Sequence, residues 1–237
     1  MELCDIRYLA KEKIDIIDKC QFCHGVDFEC SCYRDYNLEV LKVKANIPMK
    51  YRKATLYHIK SPDCKKQVIN IGNYIKKINE FRKKGVGLYL WGIEGTAKTY
   101  LACVVLVCAL KNNYSAYFTT MDDIMDIAVK PKFGKFDEYN SFQDTVYKSE
   151  FLCIDDIGFS YKPARDEIPY VDSLFFKLIR HRTSNMLPIL FTSQKSIIDL
   201  AGSSHLGDRT ISVLKGHVKK IQFTGKSFRD GLEKSII

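Results

Sequence analysis

Two kinds of segment are missing from this 237-residue sequence. Behind Met-Glu-Leu-Cys-Asp there is no basic stretch followed by an apolar run, the pattern of a secretory leader. Nowhere do about 18 apolar residues follow one another, the length a membrane span needs. The first absence argues against secretion and the second against a membrane partner, so a cytoplasmic protein is expected. Internal repeats and low-complexity tracts are missing too, which excludes a repeat array. With 46% hydrophobic and 12% aromatic residues, the chain can bury a substantial core, which excludes disorder. Acidic charge is the minority, 28 Asp and Glu against 37 Lys and Arg, for a net +9. That deficit is uneven. Residues 1–45 hold nine acids and seven bases, a balance of −2, so residues 46–237 carry +11. A basic body points to an anionic partner such as nucleic acid, and to a front end made for something else.

Cysteine is unevenly placed as well. Five of the nine (Cys4, Cys20, Cys23, Cys30, Cys32) fall in the first 32 residues. In a cytoplasmic chain such clustering indicates metal rather than disulfides. Cys20-x-x-Cys23 and Cys30-x-Cys32, with Gly25 and Asp27 between the pairs, offer four thiolates for a tetrahedral Zn²⁺ site. His24 or Cys4 is an alternative for one ligand. A module of roughly 40 residues has too little core of its own, and a structural metal explains how it folds. The scattered Cys64, Cys103, Cys108 and Cys153 suit ordinary buried positions. Leu9 to Ile17 carries a short helical pattern. Residues about 35 to 55 look like a polar, basic connector. The expected division is 1–45 for the zinc-binding module with its connector, and 46–237 for the main domain.

From about residue 56 onward, apolar runs alternate with helical stretches. The strand candidates are Val86–Trp91, Ser115–Thr119, Glu150–Asp155 and Leu187–Thr192, with Val218–Phe223 as an alternating edge strand. Strands spaced by helices predict a parallel sheet covered on both faces. Between the first strand and a helix over Lys98–Lys111 stands Gly92-Ile-Glu-Gly-Thr-Ala-Lys98-Thr99. This is the phosphate-loop pattern G-x-x-x-x-G-K-[ST], with Ala97 in place of the second glycine. The amides of residues 93–99 and the helix N-terminus suit phosphate oxygens. Lys98 would reach the β- and γ-phosphates of ATP, and the Thr99 hydroxyl would bind Mg²⁺. If residue 97 sits near helical φ/ψ, as the helix start suggests, its alanine costs little.

Phe151-Leu-Cys-Ile-Asp155-Asp156 is an apolar strand ending in two carboxylates. In a parallel sheet its end shares the ligand-binding edge with the loop. Asp155 is the expected Mg²⁺ ligand and Asp156 the general base for the attacking water. Leu190-Phe-Thr-Ser193-Gln194 ends on the same edge, where Ser193 or Gln194 could position that water.

These motifs, with Asn46-Ile-Pro-x-x-Tyr-Arg-x-Ala-Thr55 before them and Gly225-Lys-Ser-Phe-Arg229 after, occur in one order. The chain resembles the AAA+ ATPases of replicative helicase loaders (DnaC/DnaI type), with the transposition helper IstB a close cousin, over about residues 46–229. The cysteine-rich front end is similar to the helicase-binding module of DnaI-type loaders. The resemblance implies an α/β P-loop AAA+ core preceded by a small zinc-binding module. It also implies ATP hydrolysis, homo-oligomers, and partnership with a hexameric replicative helicase and single-stranded DNA. By position it implies a nucleotide site spanning Gly92, Ile93, Glu94, Gly95, Thr96, Ala97, Lys98, Thr99 and Tyr100, with Arg229. The sensor position holds Gln194 instead of asparagine. The arginine-finger position holds Val213, leaving Arg209 as the substitute. The segment from Met121 to Lys135 is similar to the helical element that initiator-type relatives point at DNA, which makes Lys130, Lys132 and Lys135 the expected phosphate contacts. Two other functions fit the motifs: an IstB-like transposase helper, or a nucleotide-binding adaptor that does not hydrolyse.

Overall fold

All five strand candidates join one parallel sheet in the order β2-β3-β4-β1-β5. The computed structural model describes residues 3–24, 29–129, 136–158, 168–203 and 206–228. The strands are β1 (Gly87–Gly92), β2 (Ala116–Thr120), β3 (Phe151–Asp155), β4 (Ile189–Ser193) and β5 (Val218–Phe223). Each begins or ends within one or two residues of the run that predicts it. Side chains of β3 and β4 are buried throughout, as a strand covered on both faces requires. On the edge strand β5, Ile221 and Phe223 turn inward while Lys219, Lys220 and Gln222 face out.

Two apolar clusters lie on the two faces of the sheet. One gathers around α5 (Lys98–Lys111), which is apolar around its whole circumference because it runs between the sheet and a second helical layer. That layer consists of α2 (Ser31–Lys44), α3 (Lys65–Lys76) and α4 (Ile78–Lys83). The other cluster gathers residues of α6 (Met121–Val129), α7 (Phe136–Lys148), α8 (Ile168–Ser184), α9 (Ile197–Ser203) and α10 (Asp208–His217). The buried Arg182 of α8 ties the base of this layer. Its guanidinium donates to the carbonyls of Val146, Ser149 and Pro188, joining the end of α7 to the starts of β3 and β4. Burial lowers its pKa to about 9, so it stays cationic at neutral pH and suits the C-terminal carbonyls of α7.

At the front, α1 (Leu3–Lys13) continues into one turn of π-helix, Ile14–Asp18. The stretch expected to be a connector is instead largely helical, because α2 runs from the cysteines directly into Asn46. Its packed face contains Glu39 and Lys42 beside Cys32 and Val43, so half of the buried side is charged.

Candidate functional site

The order of the strands explains the site. Strand β4 lies between β1 and β3, so its last residues stand between the phosphate loop and the acidic edge. The loop leaves β1 at Gly92 (φ 133°), turns at Gly95 (φ 74°) and enters α5 at Lys98. Gly95 is required twice over. Its φ disfavours other residues, and an added Cβ would sit 2.1 Å from Ser227 Oγ. The segment carrying Ser227 is fastened to the loop by the Phe228 amide, which donates to Gly95 O at 2.9 Å.

Ala97 departs from the expectation. It is left-handed, not helical, with φ 67° and ψ 22°. The residue therefore occupies the conformation for which glycine is ordinarily used, at a cost of about 1–2 kcal/mol for an L-residue. The loop keeps its glycine geometry with an alanine in it.

Lys98 is buried, its ammonium donating to Gly92 O at 2.9 Å and Ile93 O at 2.7 Å. Thr99 Oγ1 donates to Asp155, 2.9 Å from Oδ1 and 3.2 Å from Oδ2. The Thr192 hydroxyl donates to Asp155 Oδ1 and accepts the Asp156 amide at 2.9 Å. Asp155 is buried and its pKa is raised to about 6, chiefly by desolvation, with Asp156 adding to it and the two threonines opposing. A carboxylate poised this way gains most from a cation beside it. Asp156 has φ 54° and lines the cleft with Gln194.

Thr192 was not among the expected site residues. Ser193, which was, is buried away from the cleft, donating to Ile157 O at 2.9 Å and accepting the Lys195 amide. The signal was present in the strand's alternation, but the run of buried residues hides which face each one takes. Tyr51 and Phe228, which stand in the quoted motifs without an assigned role, and His58 and Ile59, which no motif contains, are further cleft residues. Of the loop residues, Glu94, Gly95, Thr96, Ala97, Lys98, Thr99 and Tyr100 line it, and Gly92 and Ile93 do not. The cleft measures about 540 Å³, the size of a small-molecule site.

Arg209 is exposed at the start of α10 and does not line the cleft of its own chain. Val213, at the arginine-finger position, is half-buried and packs against the second apolar cluster. Lys130, Lys132, Lys135 and Arg229 lie outside the described residues, as do Gly25 and Asp27.

At the front end, the sulfurs of Cys20, Cys23, Cys30 and Cys32 lie within 4.8 Å of one another. Cys20 and Cys30 are 3.8 Å apart, and Cys23 and Cys32 are 3.4 Å apart. A tetrahedral ion with 2.3 Å sulfur bonds needs sulfurs about 3.8 Å apart, so the arrangement fits zinc. Burial, then the sulfurs of Cys23, Cys30 and Cys20, push the Cys32 thiol well above its ordinary range. His24 is exposed and outside the group, and the side chain of Cys4 is outside the described residues. Phe22, between two of the cysteines, is 90% exposed.

Comparison with known proteins agrees with this geometry. A search of curated proteins returned no match. Among solved structures, a crystal structure of the DnaC helicase loader is 24% identical with a TM-score of 0.63, covering 75% of this chain and all of that one. A crystal structure of DnaI is 22% identical, TM-score 0.60, covering 75% of this chain and 95% of that one. AMPPCP-bound DnaA from Aquifex aeolicus is 19% identical, TM-score 0.58, covering 80% of this chain and 55% of that one. The fold is thus the P-loop AAA+ fold of the DnaC/DnaI type. No helix among the described residues is long and apolar enough to cross a membrane. Residues 73–235 match the model of the IstB-like ATP binding proteins, and the chain belongs to that family.

Proposed function

We propose that this protein is a cytoplasmic, ATP-driven loader that docks on a hexameric replicative DNA helicase and delivers it onto single-stranded DNA at the start of replication. The observation that carries the reading is the four-cysteine module, presenting exposed Phe22 ahead of a nucleotide fold of the DnaC/DnaI type. A metal-held knuckle with an uncovered aromatic ring is a docking head, and transposition helpers of the IstB kind do not call for one.

The cleft's own residues support hydrolysis as follows. Loop amides and Lys98 hold the triphosphate, and the left-handed turn at Ala97 aims the amides at it. Thr99 and Asp155 would hold Mg²⁺, which when bound neutralises phosphate charge. Asp156 takes the proton of the attacking water, and Gln194 orients that water. Exposed Arg209 serves the nucleotide of a neighbouring subunit in a homo-oligomer, and Arg229 closes the same site. Lys130, Lys132 and Lys135 neutralise phosphates of single-stranded DNA. Cys20, Cys23, Cys30 and Cys32 would hold Zn²⁺, fixing the head as one piece. The second reading, an ATP-dependent DNA-binding helper of a transposase, is favoured by the family match itself. The αL alanine and the packed Val213 favour slow hydrolysis under either reading.

The test is a pull-down of the protein with a hexameric replicative helicase. The wild type is expected to retain it, and Phe22→Asp to lose it at least tenfold while binding ATP as before. Association unaffected by Phe22→Asp, or none in the wild type, would sink the docking role.

A further inference from the structure

Away from the acidic edge at Asp156 and Gln194, the part of the cleft beyond the phosphate loop is lined by Tyr51, His58, Ile59, Tyr100 and Phe228. This is the aromatic and apolar lining a nucleobase takes, and His58 is its polar exception. Tyr100 determines what His58 can do. The Tyr100 hydroxyl oxygen lies 3.0 Å from Thr55 O, 2.9 Å from Thr55 N and 3.1 Å from His58 Nδ1. A phenol has one hydrogen to give and otherwise only accepts. The Thr55 carbonyl can only accept and lies nearer the phenol oxygen than Nδ1 does, so the hydrogen is assigned to it. The Thr55 amide can only donate, and it fills one side of the oxygen. Nδ1 therefore faces an oxygen with no hydrogen left to give, and must bring its own. In the neutral ring Nε2 is then a bare acceptor. No hydrogen bond engages Nε2 among the described residues, and the ring is exposed at the cleft.

We infer that His58 selects the base of the bound nucleotide, its Nε2 accepting a hydrogen bond from the exocyclic amine of adenine. The inference rests on the ATP reading above and adds to it the atom that tells one purine from another. Guanine carries a carbonyl oxygen where adenine carries the amine. Against Nε2 that oxygen sets acceptor against acceptor and leaves both unpaired. Purine riboside carries only hydrogen there, so it removes the bond without adding repulsion. A site built to hydrogen-bond one group rejects the analogue lacking it, and more firmly the one that opposes it.

The experiment measures dissociation constants of the full-length protein for ATP, GTP and purine riboside triphosphate, each with Mg²⁺ at neutral pH. Wild type is expected to bind purine riboside triphosphate about three- to tenfold more weakly than ATP, the worth of one neutral hydrogen bond. GTP is expected to bind more than tenfold more weakly. His58→Phe keeps the aromatic lining and is expected to bind ATP and the riboside equally within twofold. Tyr100→Phe deletes the oxygen that fixes the tautomer, and narrows the gap between ATP and GTP. Thermal melts of both variants are run alongside to establish that they fold. Equal wild-type affinity for ATP and the riboside, or a difference that persists in His58→Phe, overturns the assignment. A failure of the ATP reading looks different: no triphosphate binds, or Lys98→Ala binds all three as the wild type does.

Discussion

The cysteine-rich front end and the nucleotide-binding fold behind it are held by different forces. In the core, Ile47, Leu90, Leu101, Ile154 and Leu190 are fully enclosed, and burial of such side chains is worth about 1.5–3 kcal/mol each. The module has few such residues, Leu9 and Ile17 among them. It sits on the core through α2, where Leu38 and the C-cap Ala45 join the apolar cluster around α5, and through charges as well. Arg52 donates to Asp5 at 2.6 Å and to Ile47 O at 3.0 Å while its plane covers the Tyr8 ring. Tyr8 and Lys42 both meet Glu39, and Lys53 pairs with Glu12 at 2.8 Å. Polar contacts of this kind fix an orientation more than they add stability. The core stands by burial, and the front end is expected to depend on its four sulfurs.

The sharpest way to break that contrast is to remove the sulfurs. Cys20→Ser with Cys23→Ser is expected to abolish binding of about one zinc per chain. Proteolysis should then open the first 45 residues, while the core keeps its nucleotide affinity. Unchanged protease resistance in the double variant would show that the module has a core of its own.

A middle-sized effect tests the one place where the core gives up stability. With its pKa raised from 3.8 to about 6, ionised Asp155 costs the fold about 1–3 kcal/mol at pH 7.5. Between roughly pH 4 and 6 the folded state binds more protons than the unfolded one, so this group's contribution falls as pH rises through that window. Asp155→Asn should raise the denaturation free energy by about that amount and lose the pH dependence. Magnesium-dependent nucleotide binding in the wild type should weaken as pH falls through about 6, since protonated Asp155 is no metal ligand. A destabilised Asp155→Asn would refute the burial argument.

The smallest effect concerns Ala97. Glycine relieves the left-handed strain but widens the unfolded ensemble, so Ala97→Gly should add about 0.5–1 kcal/mol. A denaturation midpoint that falls instead would mean that the methyl packs usefully.

What the sequence revealed, and what it concealed, follows the same division. Strand ends and the span of α5 were legible because apolar runs and the loop motif mark them directly. The position of β4 between β1 and β3 was not, since pairing between distant strands leaves no local trace, and Thr192 was passed over for that reason. The sequence of α2 reads as a connector because its inward face carries Glu39 and Lys42, which erases the apolar stripe. The αL geometry at Ala97 was misjudged because a helix start one residue later suggests helical angles. The four cysteines were legible from spacing alone. The helical pattern over Leu9 to Ile17 was legible as well, while the polar seat that Asp5 and Glu12 offer Arg52 and Lys53 was not, because it has no periodicity to read.

The clasp between the Phe228 amide and Gly95 O has a consequence in time. Cleft walls come from Tyr51, His58 and Ile59, from the loop, from Asp156 and Gln194, and from Phe228, so the site joins segments far apart along the chain. Contacts of such long sequence separation form late. A chain emerging from the ribosome can complete its sheet through β4 and still lack part of the nucleotide cleft. A nucleotide cleft closed on this side is therefore expected only after residue 228 has been synthesised.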